Sequence, residues 1–178
     1  NVTGAETTKK AQELAVENSR LGIPLLFGYD VVHGYKTMFP IPLAMSCSWD
    51  EDVVKEAARI SAIEASAAGV NWTFAPMIDV SRDARWGRVM EGFGEDPYLT
   101  SILGVATVQG FQGSDLSDSL TIAACAKHFA AYGFAEAGRD YNTVNVDLNT
   151  LHNFALPPFE ACADNGVATF MNAFNIIQ

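Results

Sequence analysis

Polar and charged side chains follow four short apolar runs of this sequence, in each case directly after the run. One such residue usually caps a strand, but carboxylate, guanidinium, ammonium and imidazole groups at four places indicate a binding site. Charged groups make the stronger hydrogen bonds, so the set suits a ligand with several neighbouring hydroxyls. Asp30 could accept from two hydroxyls, whereas Arg88, Lys127 and His128 could donate. The residues after the four runs are Asp30 and His33; Asp79, Arg88 and Glu91; Lys127 and His128; and Met171 and Asn172.

Four aromatic residues near these positions could stack on the apolar face of a sugar ring. Trp49 stands at the entry of a predicted helix, and packing against that entry is the preferred interpretation. Trp86 lies inside a charged loop, where a structural plug and a wall of the site are equally open interpretations. Phe93 and Phe134 are further candidates for stacking.

Helical and extended patterns alternate along the chain. Ser48 to Glu51 matches a capping box, and Asp96-Pro97 begins another helix with proline in the tolerated first turn. The predicted helices cover residues 6–20, 48–68 and 96–111, with a fourth that Asp147 or Asn149 caps and that restarts at 157–158; the predicted strands cover residues 23–29, 70–75, 121–126 and 167–171.

The predicted strands are almost continuously apolar, which is typical of parallel strands that helices cover on both faces. Four such units predict an α/β fold, either a doubly wound sheet or about half of a (β/α)8 barrel. The loops over residues 76–95 and 127–147 are long. Long loops in a compact domain are usually functional.

The composition predicts a packed domain, because 49% of the 178 residues are hydrophobic and only 18% are charged. The net charge of -10 disfavours a nucleic-acid partner, since phosphate binding needs clustered Lys and Arg. No apolar run reaches the roughly 18 residues of a membrane span, so no membrane partner is predicted. Cys47, Cys125 and Cys162 are expected to be small buried side chains rather than a disulfide framework.

Other chemistries lack their motifs. Gly92-Phe93-Gly94 neither follows a strand nor has the third glycine of a dinucleotide fingerprint. The three histidines are not at zinc-ligand spacing with the cysteines, so no metal is predicted, and His152 is expected to face solvent. The chain has no Gly-x-Ser-x-Gly nucleophile motif.

The motifs together, in their order, resemble glycoside hydrolase family 3 over essentially the whole chain. The stretch from Tyr29 to Ser48 is most similar to the periplasmic bacterial β-glucosidases of that family. The motifs that carry the resemblance are residues 24–34 (PLLFGYDVVHG), 39–44 (FPIPLA), 75–80 (APMIDV), 82–88 (RDARWGR), 91–97 (EGFGEDP), 126–129 (AKHF) and 171–175 (MNAFN).

The resemblance implies that residues 1–178 are the N-terminal part of a (β/α)8-type domain that hydrolyses β-linked glucosides with retention. It implies that Asp30, Arg88, Lys127 and His128 hold the sugar hydroxyls next to the cleaved bond, and that Met171 lines the same pocket. A β-glucoside or oligosaccharide is then the substrate. No cofactor is expected, because two carboxyl groups suffice for the reaction. The implied location is periplasmic or secreted.

The family's catalytic carboxyl groups are expected outside this chain. The nucleophile of the family is an Asp in a Ser-Asp-Trp-like motif beyond the Met-x-Ala-Phe-Asn stretch, and the acid/base Glu comes from a second domain. Asp30 is assigned to sugar holding, and Asp79, Asp83 and Glu91 are expected to be loop or arginine partners. The chain, which does not begin with Met, is therefore expected to be an inactive, aggregation-prone fragment whose partner is the remainder of the parent enzyme.

Differences from the family pattern narrow the choice among the enzyme activities of the family. Residues 127–133 read KHFAAYG and lack the second His of the family's N-acetylglucosaminidases, which favours glucosidase or xylosidase chemistry. Ala84 replaces a usual Pro and should loosen its loop slightly. Asn153 replaces a usual acidic residue on the fourth helix. The loop of Arg139 to Asn142 matches one near the pocket mouth.

Three hypotheses stay open from the sequence. The first is part of a β-glucosidase, with a β-xylosidase of the same family as its alternative. The second is a binding fragment that holds sugar without catalysis. The third is an unrelated doubly wound protein, which would lack sugar affinity.

Overall fold

A computed structural model describes residues 2–178 as alternating helices and short strands. Four short parallel strands alternate with the main helices, and the loops carry single 3-10 turns. The π-helical turn Leu151–Ala155 joins the last two helices. The helices are α1 (Ala5–Asn18), α2 (Pro42–Ser46), α3 (Glu51–Ala67), α4 (Pro97–Gln112), α5 (Leu148–Thr150) and α6 (Pro157–Asp164); the strands are β1 (Gly28–Tyr29), β2 (Trp72–Thr73), β3 (Cys125–Phe129) and β4 (Thr169–Asn172).

The strands run parallel and lie side by side in chain order. Gly28 pairs with Trp72 between β1 and β2, and Cys125 pairs with Thr169 between β3 and β4. Parallel bridges from Trp72 to Ala123 and from Met77 to Lys127 join β2 to β3. A doubly wound sheet places strands on both sides of the first, so its order is not sequential. Sequential order is that of neighbouring strands in a (β/α)8 barrel.

The main core lies between this sheet and the helices α3, α4 and α6. It contains Ile78 and Ala124 from the strand side and Val54, Leu103 and Phe159 from the helices. Glycine and alanine at the contact let α3 and α4 approach closely: a Cβ on Gly110 would overlap the carbonyl oxygen of Lys55 and the side chain of Ala58.

The four predicted helices are confirmed, and local signals explain their ends. Asp96 accepts from the backbone N–H of Leu99 at 2.6 Å, and Asp147 accepts from that of Thr150 at 3.0 Å. The predicted capping box at Ser48 is wrong, because Asp50 is the N-cap and accepts from the N–H groups of residues 52 and 53. The prediction that Trp49 packs against this helix entry is also wrong, since Trp49 is 79% exposed.

The first predicted strand is much shorter than residues 23–29. Only Gly28 and Tyr29 pair with β2. The side chain of Gln12 on α1 instead binds both the N–H and the carbonyl of Leu25, at 2.6 and 3.1 Å. Pro24 has no N–H to give a ladder. A helix side chain therefore satisfies the backbone at Leu25, whereas the carbonyl of Phe27 already accepts from the N–H of Trp72 in β2 at 3.3 Å.

The third strand lies later than predicted, at 125–129 instead of 121–126. The N–H of Lys127 donates to Pro76 at 3.0 Å, and its carbonyl accepts from Ile78 at 2.8 Å. Lys127 and His128 are therefore part of the sheet rather than the loop. An apolar run predicts only the buried, apolar part of a strand. Polar residues after the run can still make the backbone hydrogen bonds of the same strand, and the apolar pattern does not predict them.

Two of the three cysteines match expectation. Cys125 and Cys162 are buried, and burial raises the pKa of the Cys162 thiol to about 12. Cys47 is exposed, so the prediction of a buried side chain is wrong there. The prediction that His152 faces solvent is confirmed.

Replacing Gly110 with Ala should destabilise the fold. Alanine favours a helix over glycine by about 1 kcal/mol, but overpacking against the backbone of α3 costs about 1–3 kcal/mol. We expect a net loss, read as a lower urea midpoint. Gly87→Ala is the control, because nothing lies within 4 Å of a Cβ there. Equal midpoints for the two variants would show that the helices separate freely.

Candidate functional site

The end of β3 places two successive polar residues at one site. Lys127 pairs with Met171 on β4 and Phe129 with Asn172, so His128 is the extra residue of a bulge. The residues Lys127 and His128 are 3% and 2% exposed, whereas Phe129 is half exposed. A bulge re-aims side chains in this way and often lies next to active sites. Met171 is half-buried beside Lys127.

Lys127 forms an ion pair with Asp30, the residue that follows β1. Nζ lies 3.1 Å from Oδ1. The lysine side chain is 4% exposed and the aspartate side chain 60% exposed. Oδ1 is the only oxygen of Asp30 with a hydrogen bond from residues 2–178, so a ligand can reach the rest of this carboxylate.

Arg88, in the loop after β2, is held by Glu91. Nε and Nη2 donate to the two carboxylate oxygens at 2.7 and 2.8 Å. Burial acts against the charge of Glu91, but the hydrogen bond and positive charge of Arg88 hold its pKa below the usual value. The hydrogen bond from Arg88 to Glu91 likewise raises the arginine pKa. The guanidinium lies 5.6 Å from the centre of the Tyr132 ring.

His128 pairs with Asp79 in the interior. Oδ2 of Asp79 lies 2.8 Å from Nδ1 of His128 and 3.0 Å from its backbone N. Burial raises the pKa of Asp79, and the hydrogen bond and charge of His128 oppose that rise. The expectation that Asp79 serves a loop or an arginine is therefore wrong: its side chain contacts the histidine of the next strand.

Three of the four aromatic stacking candidates, all but Trp49, are buried. Trp86 is 1% exposed and donates from Nε1 to Asp140 at 3.0 Å, so it is a structural plug. Phe93 and Phe134 are buried and cannot stack on a ligand. The sequence interpretation missed Tyr132, whose ring packs between Trp86 and His128 at 5.1 and 5.0 Å. No spacing rule marks Tyr132, because its neighbours come from other loops.

The surface aromatics near the site are Tyr141 and Phe174. Their ring centres are 5.3 Å apart, and both rings contact Tyr132. Both side chains are largely exposed. Their only sequence signal was membership of the segments 139–142 and 171–175.

Three loops interlock above the carboxyl ends of the strands. A Cβ on Gly133 would overlap the carbonyl of Val80, so the loops after β2 and β3 touch at the backbone. Val144 donates to the carbonyl of Ile176 at 2.8 Å and accepts from the N–H of Gln178 at 3.0 Å. The segment after β4 therefore anchors the loop that carries Asp140.

The arrangement joins fixed acceptors and donors on one edge of the sheet. The carboxylate of Asp83 lies apart from it: the hydrogen bonds from Arg85 lower the pKa of Asp83 to about 2.

Within residues 2–178, no group of three or more His, Cys, Asp or Glu could hold a metal ion. In the same range, no helix combines the length and the hydropathy of a membrane span.

The sequence model of the glycosyl hydrolase family 3 N terminal domain matches residues 1–178. The chain belongs to glycoside hydrolase family 3. The family's periplasmic β-glucosidase of Salmonella typhimurium is 47% identical over 178 residues, 100% of this chain and 23% of that relative. A mutant β-glucosidase from Listeria innocua in complex with laminaribiose is 51% identical, with a TM-score of 0.95 over 98% of this chain and 24% of the other.

The fold prediction is confirmed by this structural similarity. A β-xylosidase of Formosa agariphila is also similar, at 36% identity over 170 residues, 88% of this chain and 24% of that protein. The family 3 chain described here thus spans about a quarter of the length of these relatives.

The ion pair of Glu91 should make stability pH-dependent. Its pKa is lower in the folded than in the unfolded protein, so its stabilisation is present above pH 4.5 and is lost as the pH falls through the folded pKa. In Glu91→Gln the free energy of unfolding should fall less steeply over this acid range. Urea unfolding at a series of pH values measures the slope.

Glu160→Gln is the matched control, because Glu160 is exposed and makes no ion pair among residues 2–178. It should keep the slope of the original protein. The same slope in Glu91→Gln would show that the pair with Arg88 does not stabilise the fold.

Proposed function

We propose that this chain supplies the sugar-holding part of a retaining β-glucosidase that hydrolyses terminal non-reducing β-D-glucosyl residues. The observation that carries the proposal is the meeting of the Asp30–Lys127 pair with Arg88 and His128 at the carboxyl ends of four parallel strands. These are the four residues that the family resemblance assigns to the hydroxyls. Met171 lies beside Lys127 and forms part of the same wall.

The geometry suits a neutral polyol. Asp30 keeps an accessible carboxylate that accepts from two neighbouring hydroxyls. Arg88 keeps Nη1, which has no hydrogen bond within residues 2–178, as a donor. The local charges are already paired, so a neutral hydroxyl-rich ligand fits better than an ion. Charge-assisted hydrogen bonds supply the affinity.

The catalytic carboxyl groups belong outside residues 1–178 in this proposal. Retaining hydrolysis needs a nucleophile and an acid/base about 5 Å apart. Asp30, Glu91 and Asp79 are each engaged with a cation or a histidine, which supports holding roles for all three. The family's nucleophile and acid/base then come from the remainder of the parent enzyme, on a Ser-Asp-Trp-like motif and a second domain.

Reading the gene beyond the codon of Gln178 tests this division. We expect the frame to continue into a Ser-Asp-Trp-like motif and a second domain. An immediate stop codon would leave only the sugar-binding alternative.

The β-glucosidase assignment is favoured over the β-xylosidase by the higher identity to the Salmonella relative, 47% against 36%. The name of that relative also supports a periplasmic or secreted location. Turnover of aryl β-glucoside against aryl β-xyloside by the parent enzyme decides the substrate, and a higher kcat/KM for the xyloside would reverse the assignment.

Replacing Lys127 with Met should weaken glucose binding about 10- to 100-fold, because a hydrogen bond to a charged group is worth roughly 1.5–3 kcal/mol. Isothermal titration with glucose gives the dissociation constants, and circular dichroism checks the fold. Lys9→Met, at an exposed lysine on α1, is the matched control and should bind as the original does. Equal affinities for both variants would remove Lys127 from the site.

The purified 178-residue chain should not hydrolyse an aryl β-glucoside, because the proposal places both catalytic carboxyl groups elsewhere. Release of the aryl alcohol, followed by absorbance, is the measurement. Turnover that Asp30→Ala abolishes would contradict the proposal and locate catalysis within this chain.

A further inference from the structure

We propose that Asp79 is a positioning residue that fixes the ring of His128 so that Nε2 points to the bound sugar. The inference rests on the proposed function and extends it by one residue. Asp79 is itself fully buried and contacts no ligand position; its side chain is 0% exposed. It acts on the site only through the histidine.

The hydrogen bonds determine which ring nitrogen carries a proton. Oδ2 of Asp79 faces both the backbone N–H and Nδ1 of His128. The backbone N–H can only donate, so Oδ2 accepts there. When Asp79 is ionised, Oδ2 has no hydrogen to give and accepts from Nδ1 as well, so Nδ1 carries the hydrogen. The remaining nitrogen, Nε2, is left for the ligand.

The surroundings of Nε2 agree with this role. Nε2 has no hydrogen bond within residues 2–178, yet it is not among the fully buried polar atoms that lack a partner. It is therefore the polar atom of His128 that opens to the site. Arg88 and the imidazole both pack against the Tyr132 ring, at 5.6 and 5.0 Å from its centre.

Packing alone does not distinguish the two edges of the imidazole. Tyr132 contacts the ring edge-on at 5.0 Å and Phe174 contacts it at 6.5 Å, and both are apolar surfaces. A flipped ring would fill the same space and would turn a carbon to the sugar. The hydrogen bond between Nδ1 and Oδ2 opposes that flip, and the backbone N–H of His128 holds Oδ2 in place.

The burial of Asp79 also lowers the stability of the fold. Its Oδ1 is buried with no hydrogen-bond partner among residues 2–178. Such an unsatisfied atom is destabilising, and exceptions in folded proteins cluster where function needs them. A carboxylate has no hydrogen of its own, so it orients Nδ1–H in one way. Without this side chain, Nδ1 has no hydrogen-bond partner among residues 2–178 to fix the ring.

A double-mutant cycle tests whether Asp79 acts through His128. Asp79→Ala should weaken glucose binding about tenfold, the size seen when a partner that orients a ligating histidine is removed. In the His128→Ala background the same change should cause no further loss. An additive loss would overturn the inference, since a purely structural role does not need the histidine. Asp164→Ala, at an exposed carboxylate, is the control and should bind normally.

The tautomer gives a readout that needs no sugar. Nitrogen-15 NMR of the His128 imidazole should show a proton on Nδ1 in the original protein, and Asp79→Ala should change this pattern. A proton on Nε2 with bare Nδ1 in the original protein would overturn the inference. This spectrum also decides the question if Asp79→Ala fails to fold. Absence of glucose binding by the original protein would instead overturn the proposed function.

Discussion

A lysine side chain that is 4% exposed must be paired, and the contact between Lys127 and Asp30 satisfies this constraint. The rest of the site depends on it. The backbone of Lys127 is bonded to Pro76 and Ile78, which follow β2. Its neighbour in register is Met171 on β4, and its side chain reaches the residue after β1. One residue on the third strand thus relates all four strands of the sheet to the same ligand-facing edge.

The site is a set of separate polar pairs held close together. Arg88 has Glu91, Lys127 has Asp30, and His128 has Asp79. Where such a pair is buried, as His128 and Asp79 are, it adds little net stability, because desolvation offsets the attraction, and removing one partner is strongly destabilising. In the proposed function the three pairs act through geometry: each donor is already oriented when a hydroxyl arrives. This pre-organisation is what a sugar-holding pocket needs, since it reduces the entropy lost on binding.

The loops above the strands are interlocked rather than independent. Trp86 fills the space below them and donates to Asp140, and Gly133 lets the neighbouring loop touch the backbone of Val80. The chain after β4 then anchors the same layer through Val144. Trp86, which the sequence left open as a wall of the site, therefore supports the loops from below. The exposed aromatic rings are those of Tyr141 and Phe174.

The sequence by itself determined the helices, the parallel α/β class, the family and which polar residues end the strands. These follow from local chemistry: Asp96 and Asp147 cap helices with atoms three residues away, and strand burial is written in continuous apolar runs. Only the tertiary structure decided that Leu25 bonds Gln12, that Trp86 is a plug, and that Asp79 serves His128. Asp79 and His128 are 49 residues apart in the sequence. Hydrophobic periodicity describes only local structure, so it does not predict which distant donor a buried carboxylate contacts when neighbouring strands pair.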